Sequence, residues 1–234
     1  ISDNPSVANL NTIAGKTGGV VTATLATGNT ASFSALNTAA TDNITINIDD
    51  NPAVGDLNTI AGKTAGVVTA TLATGNTASF SALATAATDV ITININDNPS
   101  VTNLNTIAGK TAGVVTATLA TGALSTFSAL STSGTDQITI NVNDADGVDL
   151  NATDLSALGA KTAAAVNVTE AVDISGTTDE VTAALVTSGS LVLVADANVS
   201  ITDTPTISEL NDIAAKTTGV VTATLASTAA ADLA

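Results

Sequence analysis

The chain has no cysteine, histidine, tryptophan or tyrosine, and its five basic residues are all lysines, so arginine is missing as well. Without cysteine there are no disulfides and no thiolate metal sites. Without histidine, the Ser-His-Asp constellation and histidine-ligated metal centres are excluded. Paired carboxylates remain for glycoside hydrolysis. Carbohydrate-cleaving sites generally present aromatic platforms, however, and aromatics make up 1% of this chain, as three phenylalanines. Ala61-Gly62-Lys63-Thr64 lacks the upstream glycine of a phosphate-cradling loop. The chain therefore reads as a non-enzyme.

Basic surface is also scarce. The net charge is −16, which argues against a nucleic-acid partner, because phosphate binding needs a basic face. It argues equally against an anionic membrane surface. No apolar run approaches the roughly 20 residues of a membrane-spanning helix, so no membrane insertion is expected. There is no signal-peptide pattern, and the chain opens at Ile1-Ser2-Asp3. It reads as a mature chain or as a segment of a longer one.

What is present is repetition. Lys16, Lys63 and Lys110 stand 47 residues apart, as do Phe33, Phe80 and Phe127, and Pro5, Pro52 and Pro99. Such a fixed period marks a tandem-repeat architecture. Each unit divides into two halves of about 23–24 residues. The first half places Val7, Leu10, Ile13 and Ala14 on one helix face, then runs through Gly18-Gly19 into Val20-Val21-Thr22-Ala23-Thr24-Leu25. The second half holds Phe33, Leu36, Ala39 and Ala40, then Asp42, then Ile44-Thr45-Ile46-Asn47-Ile48. Period-two alternation with β-branched residues predicts half-buried strands, Val21, Ala23 and Leu25 inward, Thr22 and Thr24 outward. Pro5 suits a first helical turn, with Asn4 as cap and Thr204 as its counterpart before Pro205. Gly18-Gly19 would end the helix in a left-handed conformation.

A helix and a strand in so few residues cannot close a domain by themselves. The expected fold is an α/β repeat, a right-handed solenoid with one short helix and one parallel β-strand per coil of about 23–24 residues. Residues 1–144 hold regular 47-residue double coils, residues 145–204 divergent coils of the same solenoid, and residues 205–234 a final regular coil and tail. In the divergent stretch the lysine spacing widens to 51 and then 55 residues, and Val172-Asp173-Ile174 and Asn198-Val199-Ser200-Ile201 add two short strand patterns. That stretch is a widened coil or an interaction site.

Stacking turns each repeated position into a column. The lysine column reads as a cationic stripe for anionic glycans or, more simply, as lysines near helix C-termini, where the macrodipole favours them. Asp50, Asp97 and Asp144 form an oxygen-rich column that makes calcium possible. No calcium-binding nonapeptide or EF-hand loop accompanies it, and turn aspartates more often bond the local backbone. No other cofactor is expected. Thr22, Thr24, Thr45, Asn47, Thr69, Thr71, Thr92, Asn94, Thr116 and Thr118 form an outward Thr/Asn face that suits glycan, ice or O-glycosylation, or that simply solvates the sheet. The sequons at Asn43, Asn151, Asn167 and Asn198 do not follow the repeat.

Helix–strand coils of this length resemble leucine-rich repeats in architecture, without the leucine and asparagine consensus. Thr206-Ile207-Ser208-Glu209-Leu210-Asn211-Asp212-Ile213-Ala214-Ala215-Lys216-Thr217-Thr218-Gly219-Val220-Val221-Thr222-Ala223-Thr224-Leu225 is similar to repeat tracts of very large secreted surface proteins of cyanobacteria and marine bacteria. The resemblance implies an extracellular or cell-surface location and a structural or adhesive role. The expectation is a bacterial surface fibre, filament or adhesin assembling end to end, as a head-to-tail polymer or a continuing chain. The alternative is a ligand-binding solenoid, with calcium on the Asp columns or glycan or ice on the Thr face.

Overall fold

The computed structural model describes residues 1–226. The expected tail therefore lies outside the described residues from Ser227 to Ala234. The chain divides into two compact units. The first takes Ile1–Pro99 and Asn103–Ala117, and the second takes Ser100–Thr102 and the chain from Thr118 onward.

In the repeats up to residue 118 the elements alternate as α1 (Val7–Ala14), β1 (Thr22–Thr24), α2 (Thr30–Ser34), β2 (Asn43–Asn47), α3 (Val54–Ala61), β3 (Val68–Thr71), α4 (Thr77–Phe80), β4 (Val90–Asn94), α5 (Val101–Ala108) and β5 (Val115–Thr118). The strands of the first unit lie in the order β1-β2-β3-β4-β5. Every registered pair among them is parallel. The fold is thus α/β, with helices alternating with parallel strands. Parallel pairing needs a crossover between successive strands, and here the short helices supply it.

Alternation sets the faces as expected. Val21, Ala23, Leu25, Ile44, Ile46 and Ile48 are buried, whereas Thr22, Thr24 and Asn47 are exposed and Thr45 is half-buried. Phe33, Phe80 and Leu36 complete an aliphatic core with few rings.

The helix-end expectations are corrected at the caps, the prolines and the glycines. Asn4 does not cap α1. It takes a left-handed backbone at φ 49°, and Ser6 is the cap, its Oγ accepting from the Asn9 N–H at 3.2 Å. Likewise Thr206, not Thr204, caps its helix, reciprocally with Glu209. The prolines stand just outside the helices, where Pro52, Pro99 and Pro205 are buried. Nor does Gly18-Gly19 end α1 in a left-handed turn. The helix stops at Ala14, with Gly15 right-handed at φ −69°, and tight bonds from Gly15 N–H to Asn11 O and from Lys16 N–H to Ile13 O close it. At Gly19 a β-carbon would meet only Thr17 Oγ1, at 3.5 Å, but the later repeats put a steric need on the equivalent glycine. At the equivalent Gly66 a β-carbon would stand 2.5 Å from Ile44 O, and at Gly113 2.5 Å from Ile91 O.

The second unit carries α6 (Leu124–Phe127), β6 (Gln137–Val142), β7 (Asp149–Asn151), α7 (Ala152–Gly159), β8 (Val166–Val168), β9 (Asp173–Gly176), α8 (Thr178–Val181), a π-helical turn (Thr182–Val186), β10 (Val192–Val194), β11 (Asn198–Ile201), α9 (Ile207–Ala214) and β12 (Val221–Thr222). Its strands fall into two parallel sets, β6-β8-β10 and β7-β9-β11-β12. The two extra strand patterns of the sequence are β9 and β11. β7, α8 and the π-helical turn carry too little periodicity to be read in advance. The widened lysine spacing is therefore occupied by additional paired strands.

Candidate functional site

The aspartates of the calcium candidate column are committed to backbone. Asp50 Oδ1 accepts from the Thr30 N–H at 2.9 Å and from the Thr30 hydroxyl at 2.5 Å. Asp97 Oδ1 does the same with Thr77, at 2.8 and 2.6 Å. Asp144 Oδ2 accepts from the Leu124 N–H at 2.7 Å. In the second unit Asp203 repeats the pattern on Thr178. Each carboxylate thus ties down the first N–H of a helix from the preceding half, a favourable position for negative charge. The threonine hydroxyl, and then its N–H, hold the carboxyls of Asp50, Asp97 and Asp203 below the ordinary range. Among the described residues no three acidic side chains gather into a cation-sized group.

A second set of aspartates is buried. Asp42 Oδ1 accepts from the Val21 N–H and its Oδ2 from the Ala39 N–H, both at 2.8 Å. Asp89 holds the Val68 and Ala86 N–H groups in the same way. These side chains serve a strand end of the neighbouring half and their own turn together.

The threonine after Lys63, Lys110 and Lys161 is the third device, and its sequence signal was the Lys-Thr pair itself. Thr64 Oγ1 accepts from the N–H groups of Ile44 and Gly66, both at 2.8 Å, and shares its own hydrogen between Ile44 O at 2.8 Å and Asp42 O at 3.0 Å. Thr111 repeats this on Ile91 and Asp89, and Thr162 on Ile138 and Asp136. The carbonyls of Lys63, Lys110 and Lys161 each accept a threonine hydroxyl at 2.7 Å, from Thr38, Thr85 and Thr132. The lysine column therefore marks a backbone clasp. Each lysine stands two residues beyond its helix.

The Thr/Asn face is assembled by the register. Thr24 lies directly opposite Thr45, Asn47 opposite Thr69, Thr71 opposite Thr92, and Asn94 opposite Thr116. Thr22, Thr71, Thr92, Asn94 and Thr118 are exposed, while Thr69 and Thr116 are half-buried. Along each strand, outward side chains recur every ~6.7 Å, and across strands every ~4.8 Å. The result is an uncharged array of hydroxyls and amides.

The second unit holds a cleft of about 530 Å³ between α6 and α7. Leu124, Phe127 and Leu158 contribute apolar lining, and Asp149, Asp154 and Lys161 contribute charge. It offers carboxylates, serine hydroxyls and one ammonium, but no imidazole or thiolate, since the chain has none. Compared with protein-family models, curated proteins and solved structures, the chain gives no match.

Proposed function

We propose that this chain is an extracellular structural repeat protein, a section of a bacterial surface fibre, filament or adhesin, without catalytic activity. Its helix–strand halves wind as a right-handed solenoid of about 23–24 residues per coil. Coils of separate chains meet end to end as coils within the chain do, or continue in one longer chain. Its setting is that of the secreted repeat tracts its sequence resembles. The observation that carries this reading is the recurrence of one interface. The Thr64 clasp on Ile44 returns as Thr111 on Ile91 and Thr162 on Ile138. A generic coil-to-coil joint serves extension, whereas a recognition site is used once. Light scattering on the purified chain across concentration and salt, with electron micrographs of the same material, tests it. Linear particles that lengthen with concentration are expected. A stable monomer at high concentration and high salt would overturn the end-to-end element.

The aligned Thr/Asn array favours a second reading, in which that face binds a regular lattice such as glycan or ice. Replacing Thr24, Thr71 and Thr92 by lysine would abolish such binding in a glycan-array or ice-adsorption assay. End-to-end assembly would be untouched.

A further inference from the structure

The cleft between α6 and α7 lies where the repeat first departs from its period, and two changes in the chain meet there. The first is length. α3 begins four residues after Asp50 and α5 four residues after Asp97, but α7 begins eight residues after Asp144. The extra residues are Ala145, Asp146, Gly147 and Val148. Gly147 turns at φ 72°, its N–H donates to Ala171 O at 2.9 Å, and the chain goes on as β7, paired with β9. Val148, the last of the four, lines the cleft and is 38% exposed.

The second change is chemical. Leu124 stands 47 residues after Thr77, which stands 47 after Thr30. Thr30 and Thr77 each give their aspartate a hydroxyl as well as an N–H. Leu124 has no hydroxyl and gives Asp144 only the N–H, at 2.7 Å. The exchange places a half-buried apolar side chain on the cleft wall, and beside it a half-buried carboxylate without the hydroxyl that its counterparts receive.

The cleft therefore combines an apolar floor with a charged rim. Phe127, Leu130, Leu150 and Leu158 line it and are each 5% exposed or less. Asp144, Asp149 and Asp154 supply three carboxylates against the one ammonium of Lys161. The carboxylates do not converge, since among the described residues no three acidic side chains form a cation-sized group. A small metal cation needs such convergence. Carboxylates spread around an apolar floor suit a cation with an organic body instead. The volume of about 530 Å³ lies within the roughly 300–1,000 Å³ of small-molecule sites.

We propose that this cleft binds an organic ammonium ion, a protonated amine carrying an aliphatic or aromatic body. Burial of the body against the leucines and Phe127 supplies the affinity. The excess of carboxylates selects the sign of the charge. An anion of the same shape would face three negative groups and one positive. The site stands at a break in the repeat and is independent of how the chain assembles.

Octylammonium, octanol and octanoate share one apolar body and differ in charge. Each is titrated into the full chain near pH 7, where the amine is protonated, and amide chemical shifts are followed. Saturable shifts over residues 124–130 and 148–161 are expected for octylammonium, with a dissociation constant of about 0.1–1 mM. Octanol should bind about threefold more weakly or worse, and octanoate more weakly still. Leu124→Thr restores the residue that Thr30 and Thr77 show the fold accepts at this position, and should weaken octylammonium about fivefold or more. Asp149→Asn combined with Asp154→Asn should weaken it about threefold or more and narrow its preference over octanol. Asp56→Asn removes the counterpart of Asp154 in a regular repeat and should leave binding unchanged. No saturable shift up to about 5 mM, or octanol or octanoate binding as tightly as octylammonium, would overturn the proposal. So would undiminished binding by Leu124→Thr, or an effect of Asp56→Asn as large as that of the double variant, which would mark general attraction to an acidic chain.

Discussion

In the first unit each half-repeat adds one strand to one parallel set, and Thr64 reaches back 20 residues to Ile44. In the second unit the strands fall into two parallel sets, and Thr162 reaches back 24 residues to Ile138 with the same atoms in the same roles. The aspartate ties behave alike. Asp50 reaches back 20 residues to Thr30, and Asp203 reaches back 25 residues to Thr178. These contacts between neighbouring halves are thus kept where the chain between them is longer. Closing a slightly longer loop costs little, since doubling its length adds only about 0.6 kcal/mol. An orphaned buried N–H costs about 1–3 kcal/mol. The clasps therefore tolerate insertions better than the loss of a single hydroxyl.

The comparison is tested most severely at the close-approach glycines. Gly66→Val in the first unit and Gly219→Val in the second should each destabilise by about 3 kcal/mol or more, because the strand backbone beside them has to move. Gly19→Val should stay within about 0.5 kcal/mol. Urea unfolding of the three variants measures this, and a Gly19 effect as large as that at Gly66 would show that close approach to the neighbouring backbone is not what sets the cost. Next comes Asp89→Ala, which leaves the Val68 and Ala86 N–H groups without an acceptor and should cost about 2–3 kcal/mol by the same measurement.

Thr64→Val and Thr162→Val keep the side-chain shape but remove the acceptor for two N–H groups each, Ile44 and Gly66 in one case, Ile138 and Ala164 in the other. About 2 kcal/mol is expected from each. A clear inequality would show that the widened spacing alters the clasp. Thr17→Val, whose Oγ1 accepts only from the Gly19 N–H among the described residues, should change stability by less than about 0.5 kcal/mol.

Acid should weaken both units together. The carboxyls of Asp50, Asp97 and Asp203 titrate below the ordinary value because threonine hydroxyls and N–H groups bind the charged form. The unfolded chain therefore takes up protons first. The stability these groups add is complete above about pH 4 and is lost as pH falls through their lower folded values. Urea midpoints from pH 6 to pH 2 should drop below about pH 4, and the Asp50→Asn, Asp97→Asn, Asp203→Asn triple variant should flatten that drop. The smallest effect is expected at the exposed Thr92, where Thr92→Ala should cost about 0.5 kcal/mol or less.

Much of the fold was legible because repetition amplifies weak signals. A single Val-Thr-Ala-Thr run is a marginal strand, but its return at Val68–Thr71 and Val115–Thr118 made the alternation dependable, and the inward and outward residues follow it. Helix ends were less legible. Serine and threonine caps compete with neighbouring asparagine and proline over one or two residues, and Ser6 prevailed over Asn4. The aspartate columns were visible as columns, but their use was not. Calcium chelation and helix capping ask for the same residue type, and the choice depends on which N–H lies opposite. That N–H belongs to Thr30 for Asp50, a residue 20 positions away.

The sequence by itself determined the period, the α/β alternation, the buried and exposed faces of the strands, and the absence of the side chains that most enzymes and metal centres require. All of these follow from local spacing and composition, which act within a few residues. Only the tertiary structure decided what the repeated polar residues are for. It showed that Lys-Thr pairs mark a clasp on the preceding strand, that the aspartates hold N–H groups of neighbouring halves, and that Gly66 and Gly113 are places where one backbone rests on another. The physical reason is that each of these roles is defined by a partner some 20 residues away, and a partner at that distance is chosen by strand register.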